Sequence, residues 1–134
     1  MQTDSVERMP LRTSDDVVRV RQAVRARAVA AGFSLIDQTK IVTAASEIAR
    51  NTVDYGGGGE MRLEVLRNRE RRGVRLTFID QGPGIADISL AMKDGYTTAN
   101  GLGLGLSGAK RLCNEFEIKS TPGRGTAVTI ARWI

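Results

Sequence analysis

The apolar residues of this chain change their spacing in blocks, and the order of the blocks strongly constrains the fold. Some stretches place apolar residues three or four positions apart, which predicts helices, and others alternate strictly, which predicts strands. In chain order, the predicted elements are an edge strand at 5–12, helices at 14–31 and 34–54, strands at 61–65 and 74–78, a helix at 106–116, and strands at 116–121 and 126–133. Because helices and hairpins come in blocks, we expect an α+β sandwich, with a mixed or antiparallel sheet covered by helices on one face.

Residues that begin and end helices agree with this order. Thr13 and Ser34 are suitable N-terminal caps, because each precedes acidic residues in the first turn of a predicted helix. Gly32 ends the first helix, and four glycines at 56–59 end the second. The basic segment 67–73 is predicted to be the turn of the first hairpin.

Composition excludes several kinds of chemistry. The chain has 134 residues without an internal repeat or linker, so we expect one domain spanning 1–134. Because it has no histidine, Ser–His–Asp triads, histidine metal sites and histidine autophosphorylation are ruled out. The single cysteine, Cys113, is predicted to be a buried thiol. The sequence has no run of eighteen apolar residues and no apolar signal segment, so we expect a cytoplasmic protein without a membrane span.

The net charge of +5 leaves the class of partner open. Much of the excess comes from two arginine sets, namely Arg19, Arg21, Arg25 and Arg27, and Arg67, Arg69, Arg71 and Arg72. A basic balance fits nucleic acid or an acidic protein, but charged helix faces and turns are more often simply solvated. Because aromatic residues make up only 4%, a base-stacking surface is poorly supported and we expect no nucleic-acid partner.

Glu47 and Asn51 are four positions apart in the second predicted helix, so they lie one above the other on one face. A carboxylate there can accept the proton of an attacking hydroxyl, and an amide oxygen can hold Mg²⁺ beside phosphates. Such pairs are also common on solvated faces, so this pair alone does not distinguish a site from a surface.

Asp80 ends the alternation of the second hairpin strand, and we expect its side chain to point to the buried side. A buried carboxylate needs a partner, and the exocyclic amine of a nucleobase would be one. Gly82 and Gly84 allow a backbone turn to approach a ligand closely. The same segment is typical of a turn that ends a strand, and on its own it leaves both interpretations open.

A glycine-rich segment at 101–108 opens the third predicted helix. Glycine N–H groups at a helix N-terminus suit an anion such as phosphate. Gly103, Gly105 and Gly108 match the spacing of dinucleotide-binding folds, but the sequence before them does not predict the buried parallel strand that this motif needs. A Walker A loop also fails, because the residues after Gly108 are Ala109, Lys110 and Arg111.

The last strand begins with Thr126, whose hydroxyl should share a face with Val128 and Ile130. There it can assist Asp80 at a base, or it can simply be a residue with high strand propensity.

Four motifs follow one another in the chain: an E-x-x-x-N helix, a D-x-G-x-G turn, a G-x-G-x-G loop and a terminal G-T strand. In this order they resemble the GHKL superfamily of ATPases and kinases, and the resemblance covers 14–134. Residues 46–51, 80–85 and 101–106 are most similar to the free-standing bacterial serine kinases of stress and sporulation systems, especially the switch kinases of the stressosome. The resemblance implies a Bergerat-type two-layer α/β sandwich.

The resemblance also implies roles for individual residues. Glu47 would be the catalytic base and Asn51 the Mg²⁺ ligand. One carboxylate, two glycines and a hydroxyl would surround adenine: Asp80, Gly82, Gly84 and Thr126. The phosphate loop, at the end of a short ATP lid, would contain Gly101, Leu102, Gly103, Leu104 and Gly105. Histidine kinases more often carry asparagine at the position of Glu47, so this chain departs from them.

For function, the resemblance implies transfer of the ATP γ-phosphate, with Mg²⁺, to serine or threonine of a STAS-domain protein. That substrate would be a stressosome scaffold or an anti-sigma antagonist, and the kinase would also bind and activate a PP2C-type phosphatase. Two alternatives stay open: an anti-sigma-factor kinase that holds a sigma factor, and a docking module in which ATP only shapes a surface. The intact Glu47 favours a competent kinase.

Overall fold

The computed structural model describes residues 1–85, 92 and 105–134. Within these residues, five strands and three helices follow one another in the order that the apolar spacing predicts. They are β1 (Gln2–Leu11), α1 (Ser14–Ala30), α2 (Leu35–Asp54), β2 (Gly59–Asn68), β3 (Arg71–Asp80), α3 (Gly105–Arg111), β4 (Glu115–Thr121) and β5 (Gly125–Trp133).

The five strands form one sheet in the order β1-β2-β3-β5-β4. All four pairings between the described strands are antiparallel. Of the two kinds of sheet expected from the sequence, mixed or antiparallel, the described strands form the antiparallel one. The central strand β3 pairs with β2 on one side and with β5 on the other. β1 is an edge strand, as expected, and an edge strand tolerates Pro10 because one row of its N–H groups has no strand partner.

One face of the sheet is apolar and packs against the helices. Met61 lies opposite Phe78, and Leu76 lies opposite both Leu63 and Ile130, so these buried side chains share a face. They form one cluster with buried helix residues, among them Val17, Val20, Val24, Ala28, Ile41, Ala44, Ala45 and Ile48. The helices therefore cover this face, and α3 also packs against α2.

The opposite face of the sheet carries polar side chains. Arg75 donates from Nε and Nη2 to the two carboxylate oxygens of Glu64, both at 3.0 Å, and this fork lies between paired residues of β2 and β3. On the same face, Thr129 and Thr77 are paired across β5 and β3, with their hydroxyl oxygens 3.5 Å apart. This alternation between faces is the reason that the strands are recognisable from sequence.

The predicted caps begin both long helices. Thr13 Oγ1 accepts from the Asp16 amide at 3.3 Å, while the Asp16 carboxylate accepts from the Thr13 amide at 3.2 Å, which completes a capping box. Ser34 Oγ accepts from the Asp37 amide at 3.1 Å at the start of α2. Gly32, with φ of +90°, lies in the left-handed region just after α1, where glycine is favoured.

Several predicted boundaries are wrong, and the first strand spans Gln2–Leu11 rather than 5–12. Helix α3 ends at Arg111, and Phe116 belongs to β4, because the Asn114 amide donates to Ala131 O at 2.9 Å and draws the chain into the sheet. The basic hairpin turn is also shorter than 67–73, because Arg67 pairs with Arg72 and only residues 69 and 70 lie between the strands.

An ion pair joins the start of α2 to the end of β5. Arg132 donates to Asp37 Oδ1 from Nη2 at 2.6 Å and from Nε at 3.0 Å, and both side chains are mostly buried. The hydrogen bonds from Arg132, and then the one from the Ser34 hydroxyl, hold the pKa of Asp37 below its usual value.

We therefore expect Asp37→Asn to lower the free energy of unfolding by about 1 kcal/mol near neutral pH. Because the carboxyl pKa is depressed in the folded state, this stabilisation is present above the unfolded pKa of about 4 and is lost as the pH falls through the folded value. Urea unfolding at several pH values measures the effect.

Asp15→Asn, at an exposed residue in the first turn of α1, is the matched control. A deficit in Asp37→Asn that stayed constant between neutral pH and about pH 3 would contradict the role of the ion pair.

Candidate functional site

The polar residues singled out by the sequence meet at one end of the sheet, where α2 and β3 both end. After α2, the backbone turns so that Asn51 O accepts from the amides of Tyr55 at 2.9 Å and Gly56 at 3.2 Å. The chain then enters β2 at Gly59, which is paired directly with Asp80 of β3. A loop of four residues, 55–58, thus joins the helix with Glu47 and Asn51 to β2, which pairs with the strand that carries Asp80.

Glu47 and Asn51 lie one turn apart on α2, and both are half-buried. Their neighbours Ile48 and Thr52 are buried, and Thr52 Oγ1 donates to Ile48 O at 3.0 Å. Among the residues that the structure describes, the side chains of Glu47 and Asn51 have no hydrogen bond or ion pair. Their carboxylate and amide are therefore free of competing partners on this part of the chain.

The carboxylate of Asp80 is held on one oxygen only. Oδ1 accepts from the Gly82 amide at 2.9 Å and from the Thr126 amide at 3.2 Å. Oδ2 has no hydrogen bond to any residue in the described ranges, and Gly56 packs against it: a Cβ atom on Gly56 would lie 2.6 Å from Oδ2. The side chain is half-buried, as expected, so Oδ2 is an oriented acceptor for a ligand donor.

Three other glycines allow loops to meet around Asp80. A Cβ atom on Gly82 would lie 2.6 Å from Gly56 O, and one on Gly125 would lie 2.2 Å from Asp80 O. Gly84 passes so close to the β4–β5 turn that its Cβ would lie 2.4 Å from Thr121 O. A side chain at any of these positions would push apart segments that form the walls around the carboxylate.

Thr126 lies beside Asp80 and shares a face with Val128, as the sequence predicts. Its hydroxyl is 2.8 Å from the hydroxyl of Ser120, the residue directly opposite on β4. Ser120 Oγ also accepts from the Ile85 amide at 2.7 Å, and the Gly123 amide donates to Pro83 O at 2.7 Å. These bonds attach the turn after Asp80 to the β4–β5 hairpin.

The structure describes only one residue of the predicted phosphate loop, Gly105. Gly101, Leu102, Gly103 and Leu104 lie outside the described residues, as do residues 86–91 and 93–100. Gly105 is described as the first residue of α3, with φ of +68°, and the buried Leu106 and Ala109 pack this helix into the core.

Sequence reasoning missed Gly56, Ser120 and Gly125. One glycine is enough to end a helix, so four in a row could have indicated that another segment packs closely against this loop at Gly56. Ser120 alternates with Phe116 and Ile118, so a polar residue stands in phase with the apolar face of β4. Gly125 belongs to the G-T motif, but its contact with Asp80 O could not be predicted, since it joins residues far apart in the chain.

Elsewhere, the thiol of Cys113 is half-buried, and burial raises its pKa to about 12. It is therefore a neutral thiol at physiological pH. In the described part of the chain, no group of three or more acidic, cysteine or histidine side chains could hold a metal ion. No helix within the described ranges is both long and apolar enough to cross a membrane.

Comparisons with known proteins agree with this geometry. Residues 36–133 match the family model described as histidine kinase-, DNA gyrase B-, and HSP90-like ATPase. Serine/threonine-protein kinase RsbT of Bacillus subtilis (strain 168) is 43% identical over 122 residues, which cover 91% of this chain and 92% of RsbT. An anti-sigma F factor of Thermoanaerobacter sp. (strain X514) is 31% identical over 119 residues, which cover 81% of this chain and 83% of that protein.

A solved structure shows the same fold. The RsbU and RsbW domains of a Mycobacterium tuberculosis protein match with a TM-score of 0.66 and 22% identity, covering 96% of this chain and 32% of that one. The match of the family model to most of the chain, together with the identity to RsbT and to the anti-sigma F factor, is decisive. The chain belongs to the family of histidine kinase-, DNA gyrase B- and HSP90-like ATPases, the GHKL superfamily, as a homologue of RsbT and of the anti-sigma F factors.

Proposed function

We propose that this chain is a serine/threonine protein kinase that transfers the ATP γ-phosphate to a STAS-domain partner in a bacterial stress-response pathway. The observation that carries the proposal is Glu47, a half-buried carboxylate without a partner among the described residues, one helical turn from Asn51. The similarity to a serine/threonine kinase over nearly the whole chain supports the same assignment.

In this proposal, Asp80 reads adenine. Its Oδ1 is occupied by two amides, so Oδ2 accepts from the exocyclic amine, and Gly56, which has no side chain, leaves room for the carboxylate. Gly82 and Gly84 shape the wall of the pocket, and the Thr126 hydroxyl lies near the base. The glycine-rich segment 101–105 binds phosphate through its N–H groups.

Asn51 is the proposed Mg²⁺ ligand. Its amide oxygen is the kind of hard donor that Mg²⁺ accepts, and it has no hydrogen-bond partner within the described residues. The absence of a carboxylate cluster in the described part fits a cation held mainly by phosphate and water, with one protein ligand. When bound there, Mg²⁺ would neutralise charge on the phosphates.

The transfer step needs little from the protein beyond position and charge. Glu47 accepts the proton of the partner hydroxyl, whose oxygen forms a bond to the γ-phosphorus. The bond between that phosphorus and the bridging oxygen breaks, and ADP leaves with the electron pair. Asn51 and the phosphate-binding N–H groups keep the nucleotide in line during this step.

We propose partners and setting by similarity. A STAS-domain protein is the substrate, and a PP2C-type phosphatase is a second partner that this chain activates by binding. The relatives named anti-sigma F factor favour one alternative, in which the chain binds a sigma factor directly. We further propose a single cytoplasmic domain spanning residues 1–134.

Glu47→Ala should abolish phosphoryl transfer while ATP still binds, because the carboxylate acts on the hydroxyl proton and not on the nucleotide. The measurement uses γ-labelled Mg·ATP and a STAS-domain protein from the same genome, with ATP affinity determined in parallel.

Asp80→Asn is the complementary variant and should lose ATP binding itself. A full transfer rate in Glu47→Ala would refute its role as base. If the wild-type chain bound ATP but labelled no partner, it would instead be a docking module.

Gly56→Ala should weaken ATP binding by about tenfold, because the new Cβ would lie 2.5 Å from Asp80 Cγ and must displace the carboxylate. Gly56 is not among the glycines with positive φ, so its backbone tolerates alanine and the effect is local to Asp80. Isothermal titration with ATP measures the loss.

Gly57→Asn is the matched control, because a Cβ atom at Gly57 meets nothing within 4 Å and asparagine tolerates its φ of +72°. Equal affinities for Gly56→Ala and the wild type would show that Asp80 does not need this close contact.

A further inference from the structure

Ser120 is the centre of a small hydrogen-bond network next to Asp80. Its Oγ lies 2.8 Å from Thr126 Oγ1, 2.7 Å from the Ile85 amide and 3.2 Å from Gly125 O. The Ile85 amide belongs to the turn after Asp80, and Thr126 donates its own amide to the Asp80 carboxylate. Ser120 thus connects both segments that hold Asp80, although it does not contact Asp80 itself.

The number of protons in this network limits its arrangements. A serine hydroxyl has one proton to donate, and the Ile85 amide already uses Ser120 Oγ as an acceptor. The Ser120 proton has two acceptors in range, Thr126 Oγ1 at 2.8 Å and Gly125 O at 3.2 Å, and the first is closer. If Ser120 donates to Thr126 Oγ1, the Thr126 hydroxyl does not donate to Ser120, and its own hydrogen can point towards a ligand.

We propose that Ser120 is a positioning residue that makes the Thr126 hydroxyl a donor towards the base, so that the pocket prefers adenine to a 6-oxopurine. This inference rests on the proposed binding of ATP beside Asp80. With Ser120 in this role, the pocket presents an acceptor, Asp80 Oδ2, and a donor, the hydroxyl of Thr126, whose amide binds Asp80 Oδ1.

Such a pair matches one purine edge and opposes another. Adenine offers a donor at its exocyclic amine and an acceptor at N1, whereas hypoxanthine offers an acceptor at O6 and a donor at N1. The same two protein groups that bind adenine would therefore face like groups on hypoxanthine, and unmatched polar groups in a partly buried site cost affinity. Without Ser120, the Thr126 hydroxyl would rotate freely and could serve as donor or acceptor.

The test compares affinities for ATP and ITP, which differ in this edge, across variants of the full chain. The wild type should prefer ATP. Ser120→Ala should lower the ratio of ATP affinity to ITP affinity by about tenfold, because ATP loses an oriented donor at N1 and the freed Thr126 hydroxyl can accept from N1–H of ITP. Ser120→Thr keeps the hydroxyl and should restore the ratio.

Thr77→Val is the matched control, because it removes a hydroxyl from a hydroxyl pair elsewhere in the same sheet, on the face away from the helices. Its ratio should equal that of the wild type. If Ser120→Ala lost ATP and ITP affinity in parallel, Ser120 would be a structural residue only and the proposal would be overturned. An unchanged ratio would overturn it as well.

A second variant keeps the test decisive if Ser120→Ala is unstable. Thr126→Val removes the hydroxyl that Ser120 is proposed to orient, so it should lower the ratio by itself, and a wild-type ratio in this variant would refute the proposal. The proposed function is judged separately, by ATP binding in the wild type and its loss in Asp80→Asn. If those two results hold while the ratio does not respond to Ser120, only the inference on Ser120 fails.

Discussion

The structure at the candidate site depends on how the Asp80 carboxylate is held. A half-buried carboxylate is costly unless its oxygens are satisfied, and here two backbone amides, from Gly82 and Thr126, converge on Oδ1. The Gly82 amide belongs to the turn directly after Asp80, whereas Thr126 lies 46 residues beyond Asp80 in the sequence. The bond therefore fixes the register between the turn after β3 and the start of β5, and it leaves Oδ2 as the oriented acceptor.

Glycine contacts extend this constraint to helix α2. The amide of Gly56 donates to Asn51 O, and the residue itself packs against the Asp80 carboxylate. One short loop and one strand pair thus place the proposed metal ligand, the proposed base and the carboxylate that is proposed to bind adenine. The same two elements, α2 and β3, also contribute side chains to the hydrophobic core, so the core holds the residues of the site in place.

Much of the fold could be predicted from sequence because its signals are local. The capping residues Thr13 and Ser34 and the alternation of β2 and β3 each depend on neighbours within a few residues. The boundary between α3 and β4 could not be predicted, because Phe116 fits helical spacing and is drawn into the sheet by pairing with β5. The position of β5 between β3 and β4 likewise depends on contacts between residues far apart in the chain, so it could not be predicted.

In the candidate site, too, the features with local sequence signals could be predicted and those that depend on long-range contacts could not. Asp80 and Thr126 could be assigned to a face from the phase of their strands, but the approach of Gly56 to Asp80 and the contacts of Ser120 arise only when distant segments meet.

A crystal structure with a non-hydrolysable ATP analogue and Mg²⁺ tests the central claim most directly. The account predicts the exocyclic amine about 3 Å from Asp80 Oδ2 and the cation on the Asn51 amide oxygen. A base bound away from Asp80, with Oδ2 unused, would contradict it.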